Sequence, residues 1–371
     1  MSEGFPGWPE NWVRDRQDAF RHALEGFDHA RPVLVASHND ADGLSAAAVL
    51  ARSLEQAGHR VRVRILGRGE NPWSDAFRTE LQGDGSTEGL PGGLIVSDLG
   101  LRREAILPTL PTVVIDHHVP TGPAEAPPGM TEITGHGLEP TPTSSLLAYW
   151  CAGAITEADD LLWLAAIGII GDLEEKSGFA ELDAARARYG ITALRDAVSL
   201  INAPRRASAG DASPALRLLM RAEDPREITK GEDADTAALR AAKEEVKQAL
   251  EDARRAPPRV QGKVALIRMH TGCQVHPLVA QAWRGRLSDK IVIAANTGYR
   301  PGWVHFAARS ATGEDLVEFL RTVRPRDADE NYGNGHAQAT GGALRTEGWN
   351  EFMDKLGFGE AMKLPVGEAA A

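Results

Sequence analysis

Acidic residues and histidines follow three short β-rich runs in the first half of the chain. They are segment 38–43 (HNDADG) after 33–37, Asp98 after 94–97, and Asp116, His117 and His118 after 112–115. A fourth acid, Asp172, follows the apolar run 161–170. Carboxylate oxygens and imidazole nitrogens together suit Mn²⁺ or a similar divalent ion better than a metal that prefers thiolates. The four segments therefore predict one divalent metal site, provided that the fold brings them together.

A parallel sheet would bring these segments together. The runs 33–37, 61–66, 94–97 and 112–115 have the composition of buried strands, and 44–57 and 161–170 have that of helices. Strands that alternate with helices are typical of an α/β domain with crossover connections. In such sheets ligands bind outside the carboxyl ends of the strands, where the acids and histidines of this chain occur.

Each segment also has a plainer interpretation when it is taken alone. Asp98 could be only the N-cap of a following helix. Segment 38–43 resembles the start of a calcium loop, but its first ligand position is His38 and its twelfth is Val49 instead of Glu. The triplet 116–118 could arise by chance, and Asp172 could simply end a helix. The conjunction of all four at strand or helix ends favours the metal site.

The second half of the chain predicts a helical region and then another β-containing unit. Helical spacing dominates 180–256 and stops at Pro257 and Pro258, and β-rich runs return at 263–269, 291–295 and 303–308. We therefore expect an α/β protein with a catalytic domain over 1–200, a helical connector over 201–258 and a smaller α/β substrate-binding domain over 259–371.

Composition limits the functional classes. The 371 residues are 42% hydrophobic and 25% charged, and they contain no apolar run of membrane-spanning length. Two distant cysteines and the absence of a secretory signal predict a cytoplasmic protein without a membrane partner. The net charge is −11, yet residues 260–313 hold seven basic side chains against one acid. That local excess indicates a surface for phosphates or a scattered basic face.

The motifs HNDADG, SDLG, IDHH and IGDL, in that order, resemble those of the DHH phosphoesterases, in particular the RecJ-like branch. Arg309 and Ser310, followed by the glycine-rich segment 333–342 around His336, resemble the DHHA1 substrate-binding domain. One departure is Asn334, which interrupts the run of glycines that usually precedes this histidine.

The resemblance implies two divalent ions, with Mn²⁺ preferred and Mg²⁺ as the alternative. His38 and Asp40 would hold one ion, Asp42, His117 and Asp172 the other, and Asp98 would bridge them. Asp116 would orient a metal-binding histidine, and His118 would contact the scissile phosphate. The residues expected to hold a substrate phosphate in the second domain are Arg309, Ser310, Gly333, Gly335 and His336.

These features predict a metal-dependent phosphodiesterase that uses a metal-activated water to cut single-stranded DNA, RNA or short oligonucleotides. One alternative is a phosphodiesterase or phosphatase for cyclic dinucleotides or other small nucleotides. Another is a catalytically inactive nucleotide-binding protein. Trp303, inside the basic region, is a candidate surface for stacking bases. The sequence leaves open whether the protein forms a homodimer.

Overall fold

The computed structural model describes residues 5, 7–83, 89–329, 332–333 and 335–365, so Asn334 lies outside the described residues. The chain forms two compact units. The first comprises Met1–Arg205 and Gly210–Arg240, and the second comprises Arg206–Ala209 and Ala241–Ala371. The helices predicted as a separate connector over 201–258 are thus divided between the two units.

The described part of the first unit contains a five-stranded parallel sheet in the order β2-β1-β3-β4-β5. Its strands are β1 (Val33–His38), β2 (Val61–Leu66), β3 (Gly93–Ser97), β4 (Thr112–Asp116) and β5 (Met130–Thr134). The first four confirm the predicted runs. Strand β5 was not predicted, because its sequence MTEIT is polar at alternate positions and only Ile133 is buried.

Helices cover both faces of this sheet, as a parallel sheet requires. They are α1 (Trp12–Glu25), α2 (Ala41–Gln56), α3 (Asp75–Gln82), α4 (Ser144–Ala152), α5 (Leu162–Gly171), α6 (Ala180–Tyr189), α7 (Ile191–Ile201), α8 (Ala203–Arg206), α9 (Ser213–Arg221) and α10 (Pro225–Lys230). Helices α2, α4 and α5 are mostly buried and pack into one core with the sheet. Helix α3 helps to cover the other face.

The strand order fixes where a ligand crevice forms. From β1 the chain passes outward to β2, and it then returns to place β3 on the opposite side of β1. The crossovers therefore leave the carboxyl ends of β1 and β3 in opposite directions, which opens a crevice between them. Segment 38–43 and Asp98 follow these two strands, so the topology places them at the switch point.

The second unit contains a mixed sheet in the order β10-β11-β9-β8-β7-β6, in which only β7 and β8 pair in parallel among the described strands. After α11 (Ala234–Arg255), which begins in the first unit, come β6 (Arg259–Gln261), β7 (Val264–Met269), α12 (His276–Arg284), β8 (Ile291–Arg300), β9 (Trp303–Ser310), α13 (Leu316–Thr322), β10 (Gly335–His336), β11 (Ala339–Arg345) and α14 (Thr346–Lys355). Apolar clusters lie on both faces. The predicted α/β class is confirmed.

No helix within the described ranges has both the length and the apolar character needed to cross a membrane.

Candidate metal centre

The segment between β1 and α2 carries the first group of polar residues. Strand β1 ends at His38, and Asp40 is the N-cap of α2, where its Oδ1 accepts a hydrogen bond from the Gly43 amide at 3.1 Å. Gly43 is required by close approach, because a Cβ there would lie 2.6 Å from the carbonyl oxygen of His38. Helix α2 thus starts tightly against the end of β1, which places Asp42 fully buried in its first turn.

Asp98 lies between the two sets of predicted ligands. Its Oδ2 is 3.4 Å from Nδ1 of His38, and its Oδ1 is 3.5 Å from Nε2 of His117. The residue adopts a left-handed backbone conformation with φ of 60°, and the hydroxyl of Ser144 donates to its Oδ1 at 3.1 Å. Each carboxylate oxygen therefore points to a different histidine, as a bridging ligand requires.

Among the described residues, three groups of side chains bring potential metal-ligating atoms within 4.8 Å of one another. The first contains His38, Asp40 and Asp98, the second contains Asp42, His117 and Asp172, and the third contains Asp98, His117 and His118. The first two groups correspond to the two predicted ion sites, and all six predicted metal ligands belong to them. Mixed carboxylate and imidazole donors at this spacing fit divalent ions such as Mn²⁺.

The amino terminus of α4 holds Asp42 in place. The amides of Ser144 and Ser145 donate to its two oxygens at 2.8 and 2.9 Å. The positive end of a helix dipole favours such a carboxylate. Helix α5 passes so close to this carboxylate that a Cβ on Gly168 would lie 2.2 Å from Asp42 Oδ1. Thr143 is the N-cap of α4, and the backbone amides of the two serines after it hold Asp42.

Asp116 is fully buried at the end of β4 and orients His118. Its Oδ1 accepts hydrogen bonds from both the backbone amide and the ring Nδ1 of His118, each at 2.8 Å, and its Oδ2 accepts from the Gly100 amide. These hydrogen bonds raise the pKa of His118. The sequence predicted that Asp116 orients a metal-binding histidine, and the histidine it contacts is the one predicted to bind the phosphate. The third ligand group makes His118 a candidate ligand as well.

The charges of the centre indicate a place for cations. Burial and the neighbouring charges of Asp42 and Asp98 raise the pKa of Asp172 to about 9. Burial alone would lower the pKa of His117, but its contacts with the surrounding carboxylates raise it to about 10. The carboxylates repel one another, so protons are retained where no other positive charge is present. Divalent ions would supply that charge in place of the protons.

Two residues that sequence analysis missed also contact the centre. Arg205 Nη1 lies 2.6 Å from Asp40 Oδ2, which itself lies 3.0 Å from His38 Nδ1. Asn202 ends α7, and its Oδ1 accepts a hydrogen bond from the Ala41 amide at 2.9 Å. Asn202 follows α7 and Arg205 lies in the short helix α8, in a region that the sequence indicated only as helical, and no local signal marks them.

In the second unit, Arg309 and His336 lie on the same sheet. In the strand register His336 is opposite Ala339, and Ala339 is opposite Arg309. The two side chains are therefore two strands apart on one face, about 10 Å at the backbone. The Arg309 guanidinium donates to the carbonyls of Ala308 and Thr340, and burial lowers its pKa. Within the described ranges it has no carboxylate partner.

The other predicted substrate contacts in this unit differ in accessibility. Ser310 is fully buried, and its hydroxyl lies 2.8 Å from that of Thr312, so it does not face a substrate beside Arg309. Strand alternation explains this, because neighbouring residues point to opposite faces of a sheet. Gly333 and Gly335 have positive φ values of 78° and 144°, and a Cβ on Gly335 would lie 2.6 Å from the carbonyl oxygen of Ala339. Only glycine fits that approach.

No family model matches the sequence, and a search of curated proteins finds no match. Solved structures do share the fold. Exonuclease RecJ bound to manganese superposes with a TM-score of 0.66 at 20% identity, over 92% of this chain and 93% of that one. The chain has the fold of a RecJ-type DHH protein. RecJ from Thermus thermophilus in complex with Mn²⁺ gives a TM-score of 0.64 at 21% identity, over 92% of this chain and 54% of that one.

This RecJ-type fold extends to another DHH protein. The DHH domain of a member of a family of ribosomal proteins gives a TM-score of 0.61 at 16% identity, over 95% of this chain and 92% of that one. The chain spans about half of the longer T. thermophilus RecJ. The fold expected from the four motifs and the glycine-rich segment is confirmed.

Proposed function

We propose that this chain is a two-metal phosphodiesterase that hydrolyses single-stranded nucleic acid or short oligonucleotides. The observation that carries the proposal is Asp98, whose two carboxylate oxygens point to histidines of two separate ligand groups. A carboxylate shared in this way fits a pair of ions better than a single one. The manganese bound to RecJ proteins of the same fold supports the choice of ion.

Each predicted side chain would have a separate role in the reaction. His38, Asp40 and Asp98 would hold one ion, and Asp42, His117 and Asp172 the other, with Asp98 shared. The ions would steady the attacking and leaving oxygens of an in-line displacement and lower the pKa of the attacking water. His118 is held through Nδ1 by Asp116, which leaves Nε2 as the ring atom that can donate to a phosphate oxygen.

Arg309 supports a polymeric substrate over a small one. A half-buried guanidinium without a carboxylate partner in the described part of the chain matches a phosphate, which it can bind through two parallel hydrogen bonds. His336 is exposed two strands away on the same face. We propose that these residues hold phosphates other than the one that is cleaved, with Gly333 and Gly335 allowing the backbone to approach.

The test is a panel of substrates with added Mn²⁺: labelled single strands of DNA and RNA, dinucleotides, cyclic dinucleotides, nucleotide monoesters and a small chromogenic phosphodiester. We expect single strands and the chromogenic diester to be hydrolysed, and Asp98→Asn to abolish both activities. Full turnover after exhaustive chelation would refute the metal-dependent mechanism. Cleavage of cyclic dinucleotides without cleavage of single strands would identify the small-nucleotide enzyme instead.

A further inference from the structure

Three side chains stack where the β8–β9 hairpin turns and β11 ends. The guanidinium carbon of Arg300 lies 5.0 Å from the ring centroid of Trp303, and that of Arg345 lies 4.6 Å from the same centroid. Arg300 and Arg345 are exposed, and Trp303 is half-buried. These residues, called the Arg–Trp–Arg stack below, lie outside the metal centre and apart from the predicted substrate contacts.

Backbone geometry fixes the stack. Strand β9 lies between β8 and β11, and Trp303 is the register partner of both Arg300 and Arg345. Pro301 and Gly302 connect β8 to β9, and Gly302 has a φ of 74° that suits a tight turn. Directly opposite side chains on neighbouring strands are within reach of each other. The sheet therefore presents the two guanidiniums from the strands on either side of the indole.

In the described part of the second unit, other basic side chains have polar partners that the two arginines of the stack lack. Lys263 pairs with Glu314, and Lys290 lies 3.1 Å from Asp289. Arg284 donates to the side chain of Gln338. Neither guanidinium of the stack forms a hydrogen bond or an ion pair with any described residue. Among the described residues, Lys263 and Lys290 are thus paired with carboxylates, whereas neither arginine of the stack is paired with an acid.

We propose that the Arg–Trp–Arg stack is a clamp for the phosphates of a single nucleic-acid strand. Arginine is weakly hydrated and stacks on aromatic rings, and its planar N–H groups then remain directed sideways for phosphate oxygens. Because the indole already restricts these long side chains, they lose less conformational entropy when a phosphate binds. The indole, contacted by two guanidiniums, serves as their support and not as a platform for bases. Base stacking on Trp303 is the alternative that the test below distinguishes.

The inference rests on the proposed function for the choice of nucleic acid as the ligand. It extends that function by assigning a site for the strand beyond Arg309 and His336. Two guanidiniums on separate β-strands suit two phosphates of one nucleic-acid strand, whereas the phosphate of a mononucleotide would contact only one of the guanidiniums.

The test is binding of a fluorescent thymidine strand of about 16 nucleotides, a length within the range of single-strand binding sites. Anisotropy is measured on the full chain in excess chelator, which prevents cleavage. The double variant Arg300→Gln, Arg345→Gln should bind at least about tenfold more weakly at low salt. The slope of log Kd against log salt should fall by about 1.4, because each phosphate contact with a single strand contributes about 0.7.

Arg286→Gln is the matched control, because Arg286 also lies over an indole, 5.2 Å from the centroid of Trp283. It removes one positive charge from the same unit, where the double variant removes two, and should leave the salt slope unchanged. Trp303→Leu removes the ring that supports the arginines and should weaken binding by about two- to fivefold, in line with the usual strength of a cation–π contact. Thermal unfolding of each variant confirms that the fold is retained.

A double arginine variant with the wild-type salt slope would overturn the clamp. So would a double variant that binds more tightly while Trp303→Leu binds more weakly, because bases would then stack on the uncovered indole. Hydrolysis of the small chromogenic diester with Mn²⁺, measured on the same variants, separates the two proposals. If the wild-type protein binds strands through the clamp but hydrolyses no diester, the proposed function fails and the clamp stands.

Discussion

The metal centre and the basic face of the second unit differ in how firmly their polar groups are held. In the metal centre, Asp42 accepts two backbone amides and Asp116 accepts three hydrogen bonds, and both are fully buried. On the second unit, His336 and the two arginines of the Arg–Trp–Arg stack are exposed. Groups that perform chemistry need fixed positions, whereas groups that bind a flexible polymer can adjust to it. The two regions should therefore respond differently to mutation.

The largest effect is expected at Asp98, the residue that both ligand groups share. Asp98→Ala should lower kcat on the small chromogenic diester by at least about 10²-fold, because it removes the group that joins the two ion sites. The fold should be retained, since loss of one carboxylate from a cluster of like charges reduces their repulsion. Circular dichroism and thermal unfolding check this.

Asp183→Asn, at an exposed position on α6, controls for removal of a charge from the same unit. Near-normal turnover of a folded Asp98→Ala protein would show that Asp98 does not organise the site.

Mutation of Arg309 should affect cleavage of oligonucleotides and leave hydrolysis of a small diester almost unchanged. Arg309→Ala should weaken oligonucleotide cleavage by about 1.5–3 kcal/mol in kcat/KM, the usual contribution of a charge-assisted contact. The small diester should be hydrolysed almost as before. Cleavage of oligonucleotides should also fall steeply between low and moderate salt, while that of the diester stays nearly constant. Equal losses on both substrates would place Arg309 in support of the metal site or the fold.

Metal affinity should fall as the pH is lowered. Ions need unprotonated ligands, and the pKa is about 10 for His38 and about 9 for Asp172. Protons therefore occupy these groups near neutral pH and must leave when an ion binds. Lower pH favours the protonated forms, so affinity should drop about tenfold per pH unit for each proton released.

Calorimetry of Mn²⁺ binding in buffers with different ionisation enthalpies measures the protons released. Binding without proton release, and with the same Kd at about pH 6 and about pH 8, would contradict these protonation states.

Mutation of Arg205 should have the smallest effect, and it tests the electrostatics of the metal centre. Its guanidinium lies 2.6 Å from the Asp40 oxygen that is also nearest to His38, so it repels an ion at that carboxylate. Arg205→Ala should tighten Mn²⁺ binding by about 1 kcal/mol, and Arg205→Lys should change it less. Calorimetry gives both values. Weaker binding in Arg205→Ala would instead mean that the guanidinium positions Asp40 for the ion.

The residues predicted for the centre lie together in the structure because their signals in the sequence are local. Each predicted ligand follows a strand or a helix, and a parallel sheet brings such ends together whatever the details of packing. Arg205 and Asn202 were missed because their roles depend on how the end of α7 packs beside α2, which no spacing encodes. The six predicted ligands lie in the expected groups, and their binding of ions remains a prediction.

The second unit was harder to predict because its contacts depend on register. Strands β10 and β11 are short or rich in alanine and glycine, which gives no clear alternation of apolar and polar residues. Trp303 could be recognised as aromatic in a basic region, but only the pairing with Arg300 and Arg345 shows what covers its ring. Ser310 was included with its neighbour Arg309, although the two point to opposite faces.

The sheet order described for the first unit also bears on how the centre forms during synthesis. Segment 38–43 leaves the ribosome early, but Asp98, His117 and Asp172 follow much later in the chain. Long loops must close before these side chains meet, which slows the formation of parallel sheets. The mutually repelling carboxylates therefore stay apart until α5 is complete. The ions proposed for this centre would stabilise the assembled domain, and the stabilisation would depend on the free ion concentration relative to the Kd.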